Sequence, residues 1–478
     1  MQHFALWVPL THAARAVYAF IIVLFAMSLT ACGGSNKDHD DDHHHHEHAH
    51  HGGRLIYSLA SQNDTLRMFD QTVENNHFTS TNVSANANAQ LVLSNDGLTI
   101  AMLEGGNLSV VSSGLEHMSG NHPHTHPVSL VTAPPSPFTG VRQVIASGKY
   151  FSTLENDGKS RLIDSAGDHV EKTWTDVVYP TLALKGGDFL TFTADTANEN
   201  LINISVVDQN GNTGTDGLIF VRPNIDGYKT SSFSCKNGVE STAQTEDFTL
   251  ILCGDGSLRW LISGYDAPEG HPQAEKTRHV TQRYPDTGDR REGAIGEVTT
   301  GATGFIENIT GLTATHHNDN VIAAWSKDQL WLINAHNDHP HRGNLIDITG
   351  QNFGNIIAVA ATSDDDALAI LSDQGTVAIS RFEVNSSSNP VATGTPVLEG
   401  LFTPKPGKQS QLVAGANSFF VAAQGDSMGQ LFQLDFHGEG GEYHHHGTQR
   451  NAELKDFSNL VFAHMLEADH DHDHDHDH

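Results

Sequence analysis

Two histidine-rich runs near the ends of the chain carry the first chemistry that the sequence suggests. One, HDDDHHHHEHAHH, extends from His39 to His51, and the other, ADHDHDHDHDH, extends from Ala468 to His478. Neutral imidazole, the form that a pKa of about 6.5 favours at pH 7, is a ligand for Zn, Cu(II) and Ni. We predict that both runs are disordered and bind several ions weakly, through His43, His44, His45, His46, His48, His50, His51, His470, His472, His474, His476 and His478.

Three other interpretations of these runs are weaker. The first run contains HEHAH, from His46 to His50, which matches the H-E-x-x-H pattern of zinc proteases. That pattern requires a helix, whereas this segment has low complexity and ends at Gly52-Gly53. The run is too mixed for an engineered tag. Acidic tails could also serve only solubility, but aspartate alone would suffice for that, so metal capture is the better interpretation.

A third group of histidines lies inside the chain, in GLEHMSGNHPHTHP. Prolines on both sides of His124 and His126 stiffen the backbone, so these residues lose less entropy on binding than a flexible tail does. We predict a defined metal site here, formed by His117, His122, His124 and His126. Tetrahedral zinc would take further ligands from another loop. His316 and His317 are our choice, with His336, His339, His341 and His444 to His446 as other candidates.

The remaining core histidines are isolated in the sequence. We interpret them as ordinary surface or hydrogen-bonded residues: His77, His169, His271, His279, His437 and His464.

The elements that must position these residues are short strands. LVLSNDGLTIAMLEGGNLSVVSS alternates strand-length apolar runs with Asp-Gly and Gly-Gly turns, and similar patterns recur up to FFVAAQGDSMGQLFQLDF. Antiparallel repeats of roughly 50 to 60 residues predict an all-β fold, a β-propeller of about seven blades. A pair of two-sheet sandwiches is the alternative.

The N-terminal residues predict that this protein is exported from the cytoplasm. An apolar run from Ala16 to Leu29 ends in Leu29-Thr30-Ala31-Cys32, the spacing of a bacterial lipobox. An ordinary secretory signal with a chance cysteine is the weaker alternative. We expect residues 1–31 to be a lipoprotein signal peptide, 32–53 a His/Asp-rich leash that starts at lipidated Cys32, 54–466 the propeller and 467–478 a metal-binding tail. No aspartate follows Cys32, so the anchor would lie in the outer membrane of a Gram-negative bacterium, on the periplasmic side.

Cys235 and Cys253 are the two cysteines left after Cys32. In an oxidising compartment they predict one disulfide, between two adjacent antiparallel strands joined through a loop. Two thiolate ligands for a metal would be the alternative, but the spacing does not resemble C-x-x-C.

Charge and motifs exclude several function classes. The formal charge is −31, with 57 acidic and 26 basic residues, which argues against nucleic acid and against anionic membranes as partners. A lipid anchor would be the only membrane attachment. No nucleophile elbow, phosphate-binding loop or zinc-protease helix is apparent, so we do not expect an enzyme.

The order of these features resembles the AztD-type periplasmic zinc metallochaperones. The residues that carry the resemblance are GLEHMSGNHPHTHP, with His124, His126 and Pro127, and the segments SCKNG and LCGDG, where Cys235 and Cys253 match the disulfide. The resemblance implies a propeller that hands zinc to the solute-binding protein of an ABC importer.

These observations predict a protein that captures Zn and passes it on by ligand exchange. Nickel, cobalt and Cu(II) stay open as cargo, whereas the lack of Cys and Met clusters argues against Cu(I). The alternative function is a cell-surface propeller that binds a protein or a glycan, with the histidine tails only as a zinc store.

Overall fold

A computed structural model describes 53–72, 77–119, 122–131, 138–167, 169–212, 218–221, 233–266, 277–283, 309–315, 321–336, 339–346, 353–362, 367–384, 390–415, 418–426, 428–436, 443–444, 454 and 456–464. Residues 1–52, which include the predicted signal peptide and all but the last residue of the predicted leash, lie outside these residues, and so do His316, His317 and the predicted C-terminal tail. Across the described part of the chain, no helix is long and apolar enough to cross a membrane.

The regular secondary structure of the described chain is almost entirely β-strand. Its first half contains β1 Arg54–Leu59, β2 Asp64–Asp70, β3 His77–Ala85, β4 Gln90–Leu93, β5 Thr99–Glu104, β6 Asn107–Ser112, β7 Leu115–Ser119, β8 His122–Thr125, β9 Ser129–Leu130, β10 Val141–Ser147, β11 Tyr150–Glu155, β12 Ser160–Asp164, β13 Val170–Trp174, β14 Leu182–Ala183, a 3-10 turn Lys185–Gly187, β15 Phe189–Ala194, β16 Leu201–Val207 and β17 Leu218–Val221.

The second half continues in the same way. It contains β18 Phe233–Lys236, β19 Val239–Gln244, β20 Phe248–Cys253, β21 Leu258–Asp266, β22 Thr277–Arg283, β23 Gly311–Ala314, β24 Val321–Trp325, β25 Leu330–His336, β26 His339–Ile346, β27 Ile356–Ala361, β28 Ala367–Ser372, β29 Thr376–Val384, β30 Pro390–Gly400, β31 Ser410–Ala414, β32 Ser418–Ala423, β33 Gln430–Phe436, β34 Tyr443–His444 and β35 Phe457–Ala463.

These strands form eight sheets of four or five strands, which confirms the predicted all-β propeller with one blade more than the about seven expected. In chain order the blades are: blade 1, β35 with β1 to β3; blade 2, β4, β5, β6 and β9; blade 3, β10 to β13; blade 4, β14, β15, β16 and β18; blade 5, β19 to β22 with β17; blade 6, β23 to β26; blade 7, β27 to β30; blade 8, β31 to β34. Insertions of unequal length obscured the repeat in the sequence.

The ring is closed by the two ends of the described chain. β35 is the first strand of blade 1 and pairs antiparallel with β1, with Leu55 opposite Phe462. β35 also contacts the first strands of the blades on both sides, β4 and β31. The C-terminal strand therefore completes the blade that the N-terminal strands begin.

The core is divided among the interfaces between blades. Eight buried apolar clusters occur in the described chain, and each joins two neighbouring blades. The second strand of a blade is consequently buried on both faces, as FTLILC in β20 and SFFVAA in β32 show. Such strands appear as continuous apolar runs rather than alternating ones.

The disulfide between Cys235 and Cys253 is confirmed, with Cα atoms 5.2 Å apart. The expectation that it joins two adjacent strands was wrong. Cys235 lies in β18, the outer strand of blade 4, whereas Cys253 ends β20 of blade 5, which pairs with β19 and β21. A second link between these blades is β17. In the chain it lies between β16 and β18 of blade 4, but it pairs parallel with β22 of blade 5.

Candidate metal centre

The predicted loop from His117 to His126 forms a two-stranded hairpin, β7 and β8, inserted between the third and fourth strands of blade 2. In this hairpin His117 is the register partner of His124, and Ser119 is the partner of His122. Residues directly opposite each other in an antiparallel pair share one face of the sheet. The register thus brings two of the four predicted ligands together, although the side chains of His117 and His122 lie outside the described residues.

The side chains of His124 and His126 are described, and both are exposed. His126 Nε2 lies 3.1 Å from Glu116 Oε2, and these side chains are 59% and 57% exposed. A carboxylate beside an imidazole is a donor combination that zinc accepts. Glu116 was not among the predicted ligands, although its position beside His117 in the sequence was visible.

The base of the hairpin is fixed by buried Arg54. Its Nε donates to Asp70 Oδ2 over 2.9 Å, and the two side chains are 6% and 7% exposed. One of its terminal nitrogens donates to the backbone oxygens of Ser113 (2.7 Å) and His126. A guanidinium has a planar arrangement of donors, which suits such a multiple contact. Arg54 therefore holds together the two points where the hairpin leaves and rejoins blade 2.

Gly114 completes this base. It has a φ of +77°, and the N–H of His126 donates to its carbonyl oxygen over 2.6 Å. A Cβ at position 114 would overlap the carbonyl oxygen of His126. Only glycine adopts this backbone conformation at little cost and also permits the close approach. The fold therefore requires glycine at position 114, because the backbone of His126, a residue later in the hairpin, lies so close.

The structure describes only some of the other candidate ligands, and of those only the backbone. His316, His317, His445, His446 and the tail histidines lie outside the described residues. In blade 6, His336 is the register partner of His339, and His341 is the partner of Asn334. In blade 8, His444 is the partner of Asp435. These are backbone positions, so the structure leaves the complete ligand set a prediction.

Three of the isolated histidines have described side chains, and their environments differ, whereas the side chains of His77, His271 and His437 lie outside the described residues. His279 is buried, and its Nε2 lies 2.9 Å from Asp188 Oδ2. His464 is also buried; its Nδ1 lies 3.4 Å from the carbonyl oxygen of Phe462, and its ring stacks on the Phe462 ring. These two are hydrogen-bonded, in agreement with the interpretation from sequence.

His169 is different, because it belongs to a group that sequence reasoning missed. One ligand atom from each of Asp164, His169 and Glu171 lies within 4.8 Å of the others. The H-x-E spacing of His169 and Glu171 was the available signal, since alternate residues of a strand lie on one side. The approach of Asp164 depends on the turn that precedes β13.

The described histidines share one rim of the propeller. This rim, which we call the histidine rim, carries the connections between first and second and between third and fourth strands of each blade. Its continuity from blade to blade is visible where the N–H of His464 donates to Gly97 (3.1 Å) and Ser165 Oγ donates to Asp96 Oδ2 (3.3 Å). Each described histidine lies in or within a few residues of such a connection, namely His77, His117, His122, His124, His126, His169, His279, His336, His339, His341, His444 and His464.

No protein-family model and no curated protein matches this chain. Many solved structures match this chain, and two structures of AztD are among them. Apo AztD from Citrobacter koseri matches with a TM-score of 0.56 and 12% identity, over 87% of this chain and 99% of that chain. A second crystal structure of Citrobacter koseri AztD matches with a TM-score of 0.54 and 12% identity, over 88% and 100%.

This chain has an AztD-like fold. At 12% identity the similarity extends to the propeller and does not by itself transfer ligands or activity.

Proposed function

We propose that this protein is a periplasmic zinc metallochaperone, lipid-anchored through Cys32 at the outer membrane, that captures Zn and transfers it to the solute-binding protein of an ABC importer. The role is binding and transfer rather than catalysis. The observation that carries the proposal is the β7–β8 hairpin, which pairs His117 with His124 on a base clamped by buried Arg54. The AztD-like fold and the resemblance of the hairpin sequence to AztD-type chaperones support it.

The chemistry of the hairpin suits a carrier. Zinc has no redox chemistry, so capture requires only neutral imidazoles and carboxylates, which the hairpin supplies through His124, His126 and Glu116. These side chains are exposed, and an incoming ligand from a partner protein can therefore replace them one at a time. The tails would raise the local concentration of zinc around this site.

The first test is a zinc titration against a chromophoric chelator, using a mature chain in which the histidines of both tails are replaced by asparagine. A tight site at the hairpin should remain, and His124→Ala with His126→Ala should weaken it by about 100-fold or more, because two of about four ligands are lost. The control variant, His77→Ala with His271→Ala, removes two histidines elsewhere and should leave the affinity unchanged.

The second test addresses transfer. Zinc-loaded protein is mixed with the zinc-free solute-binding protein, and transfer is compared with release of zinc to a chelator at the same concentration. Direct ligand exchange predicts that transfer is faster than release. Equal rates would contradict a chaperone role. In the first test, loss of all tight binding from the variant with asparagine in both tails would instead favour the alternative function. In that alternative the propeller binds another partner and its tails only store zinc.

A further inference from the structure

We propose that Asp164, His169 and Glu171 form a second, three-ligand zinc site on the histidine rim of blade 3. His169 Nε2 lies 2.7 Å from Glu171 Oε1, and ligand atoms of all three residues lie within 4.8 Å of one another. His169 and Glu171 are exposed, and Asp164 is half-buried. The proposal depends on these side chains alone, so it holds or fails independently of the hairpin site.

Backbone hydrogen bonds connect the residues that present the three ligands. The N–H of Asp164 donates to His169 O (3.2 Å), and the N–H of Gly167 donates back to Asp164 O (2.7 Å). The N–H of Ala166 donates to Asp164 Oδ1 (2.8 Å), which orients the carboxylate. These hydrogen bonds therefore set the positions of Asp164 and His169 before any ion arrives. Binding would cost only the ordering of side-chain rotamers.

The turn is also held against the neighbouring blade. Gly167 has a φ of +75°, and a Cβ there would lie 2.8 Å from the Cβ of Val110 in β6. Ser165 Oγ donates to Asp96 Oδ2 over 3.3 Å. Because β6 is the strand that continues into the β7–β8 hairpin, the group lies on the blade next to the hairpin and on the same rim.

The donor set matches zinc. Zinc accepts imidazole nitrogen and carboxylate oxygen at about 2.0 to 2.2 Å, which places tetrahedral ligands about 3.3 Å apart. The His169–Glu171 separation is slightly shorter, and the ligand atoms of all three residues lie within 4.8 Å of one another, so small rotamer changes of the exposed His169 and Glu171 side chains would close the site. One imidazole and two carboxylates leave an open coordination position. Two carboxylates also supply the negative charge that offsets the charge of the ion.

The test is site-resolved protection in the full-length protein. Diethyl pyrocarbonate modifies neutral imidazoles, and peptide mass spectrometry measures the rate at each histidine separately, so the tails do not interfere. Zinc should slow the modification of His169, by about tenfold at a zinc concentration ten times the Kd. Asp164→Asn and Glu171→Gln each keep the hydrogen bonds described above but remove a carboxylate charge, and each should abolish the protection.

Glu199→Gln is the matched control, because it removes an exposed carboxylate from the β15–β16 turn on the opposite rim and should leave the protection intact. An unchanged rate at His169 with zinc would overturn the proposal, as would protection that persists in both charge variants. The same experiment reports His124 and His126 on other peptides. Protection at His169 without protection at His124 would support this site and contradict the hairpin site. Protection at His124 without protection at His169 would support the hairpin site and contradict this one.

Discussion

At the scale of single residues, His464 shows how the fold changes the chemistry of a histidine. Burial lowers the pKa of its imidazole, and the hydrogen bond with the carbonyl oxygen of Phe462 only partly offsets this. The unfolded chain, with a histidine pKa of about 6.5, binds a proton at a higher pH than the folded one does. The stability that the neutral His464 contributes is therefore complete above about pH 6.5 and is lost as the pH falls toward the folded pKa.

We predict that His464→Gln reduces the pH dependence of the free energy of unfolding below about pH 6.5. The measurement is urea unfolding from about pH 5 to pH 7.5, with a chelator present so that metal binding does not contribute. Other carboxylates and histidines titrate in this range, so the informative quantity is the difference between the two proteins. Parallel curves would show that His464 is not responsible.

At the scale of elements, the hairpin depends on its base more than on its own two short strands. β7 and β8 have five and four residues, and an isolated two-stranded hairpin is at best marginally stable. The contacts of Arg54 and Gly114 must therefore determine its geometry. A site whose ligands lie on such an element is sensitive to changes that touch no ligand.

We predict that Gly114→Ala destabilises the protein and also weakens zinc binding at the hairpin. Gly211→Ala is a matched control, since Gly211 has a φ of +82° and open space where the added Cβ would lie. The control should lose about 1 kcal/mol from backbone strain alone. Gly114→Ala should lose at least about 2 kcal/mol, because the added Cβ also displaces His126. Unfolding curves and the zinc titration measure the two effects, and equal losses in both variants would refute this account.

At the scale of the whole molecule, the blades are joined by apolar clusters, by β35 and by one disulfide. The disulfide closes a segment with a sequence separation of 18 residues between blades 4 and 5. In the chain-entropy model a loop of this size stabilises the folded state by about 3 kcal/mol. Cys253 ends β20, where the second strand of blade 5 turns into the third, and this turn lies on the rim opposite the histidines.

We predict that Cys235→Ser with Cys253→Ser lowers the free energy of unfolding by about 3 kcal/mol and leaves zinc binding unchanged. Urea unfolding and the zinc titration measure these quantities, with the disulfide-bonded native protein as the reference. A change in zinc affinity would mean that the two rims are coupled through blades 4 and 5.

Much of the fold was predictable because it depends on local patterns. Strand-length apolar runs separated by Asp-Gly and Gly-Gly turns indicate antiparallel sheets, and the two cysteines besides Cys32 indicate one disulfide. The histidine pair at His124 and His126 was visible from spacing and from its prolines. These features need only neighbouring residues, so no knowledge of distant contacts was necessary.

The sequence by itself determined the all-β class and the propeller architecture, and it predicted the metal-ligand chemistry of the histidines. Only the tertiary structure decided the eight blades, since β35 completes blade 1 through a partner at the other end of the described chain. It also decided that the disulfide joins two blades, that Arg54 supports the hairpin, and that Asp164 approaches His169 and Glu171. Each of these depends on contacts between residues of different strands or blades, and a local pattern contains no information about which distant residue it will meet.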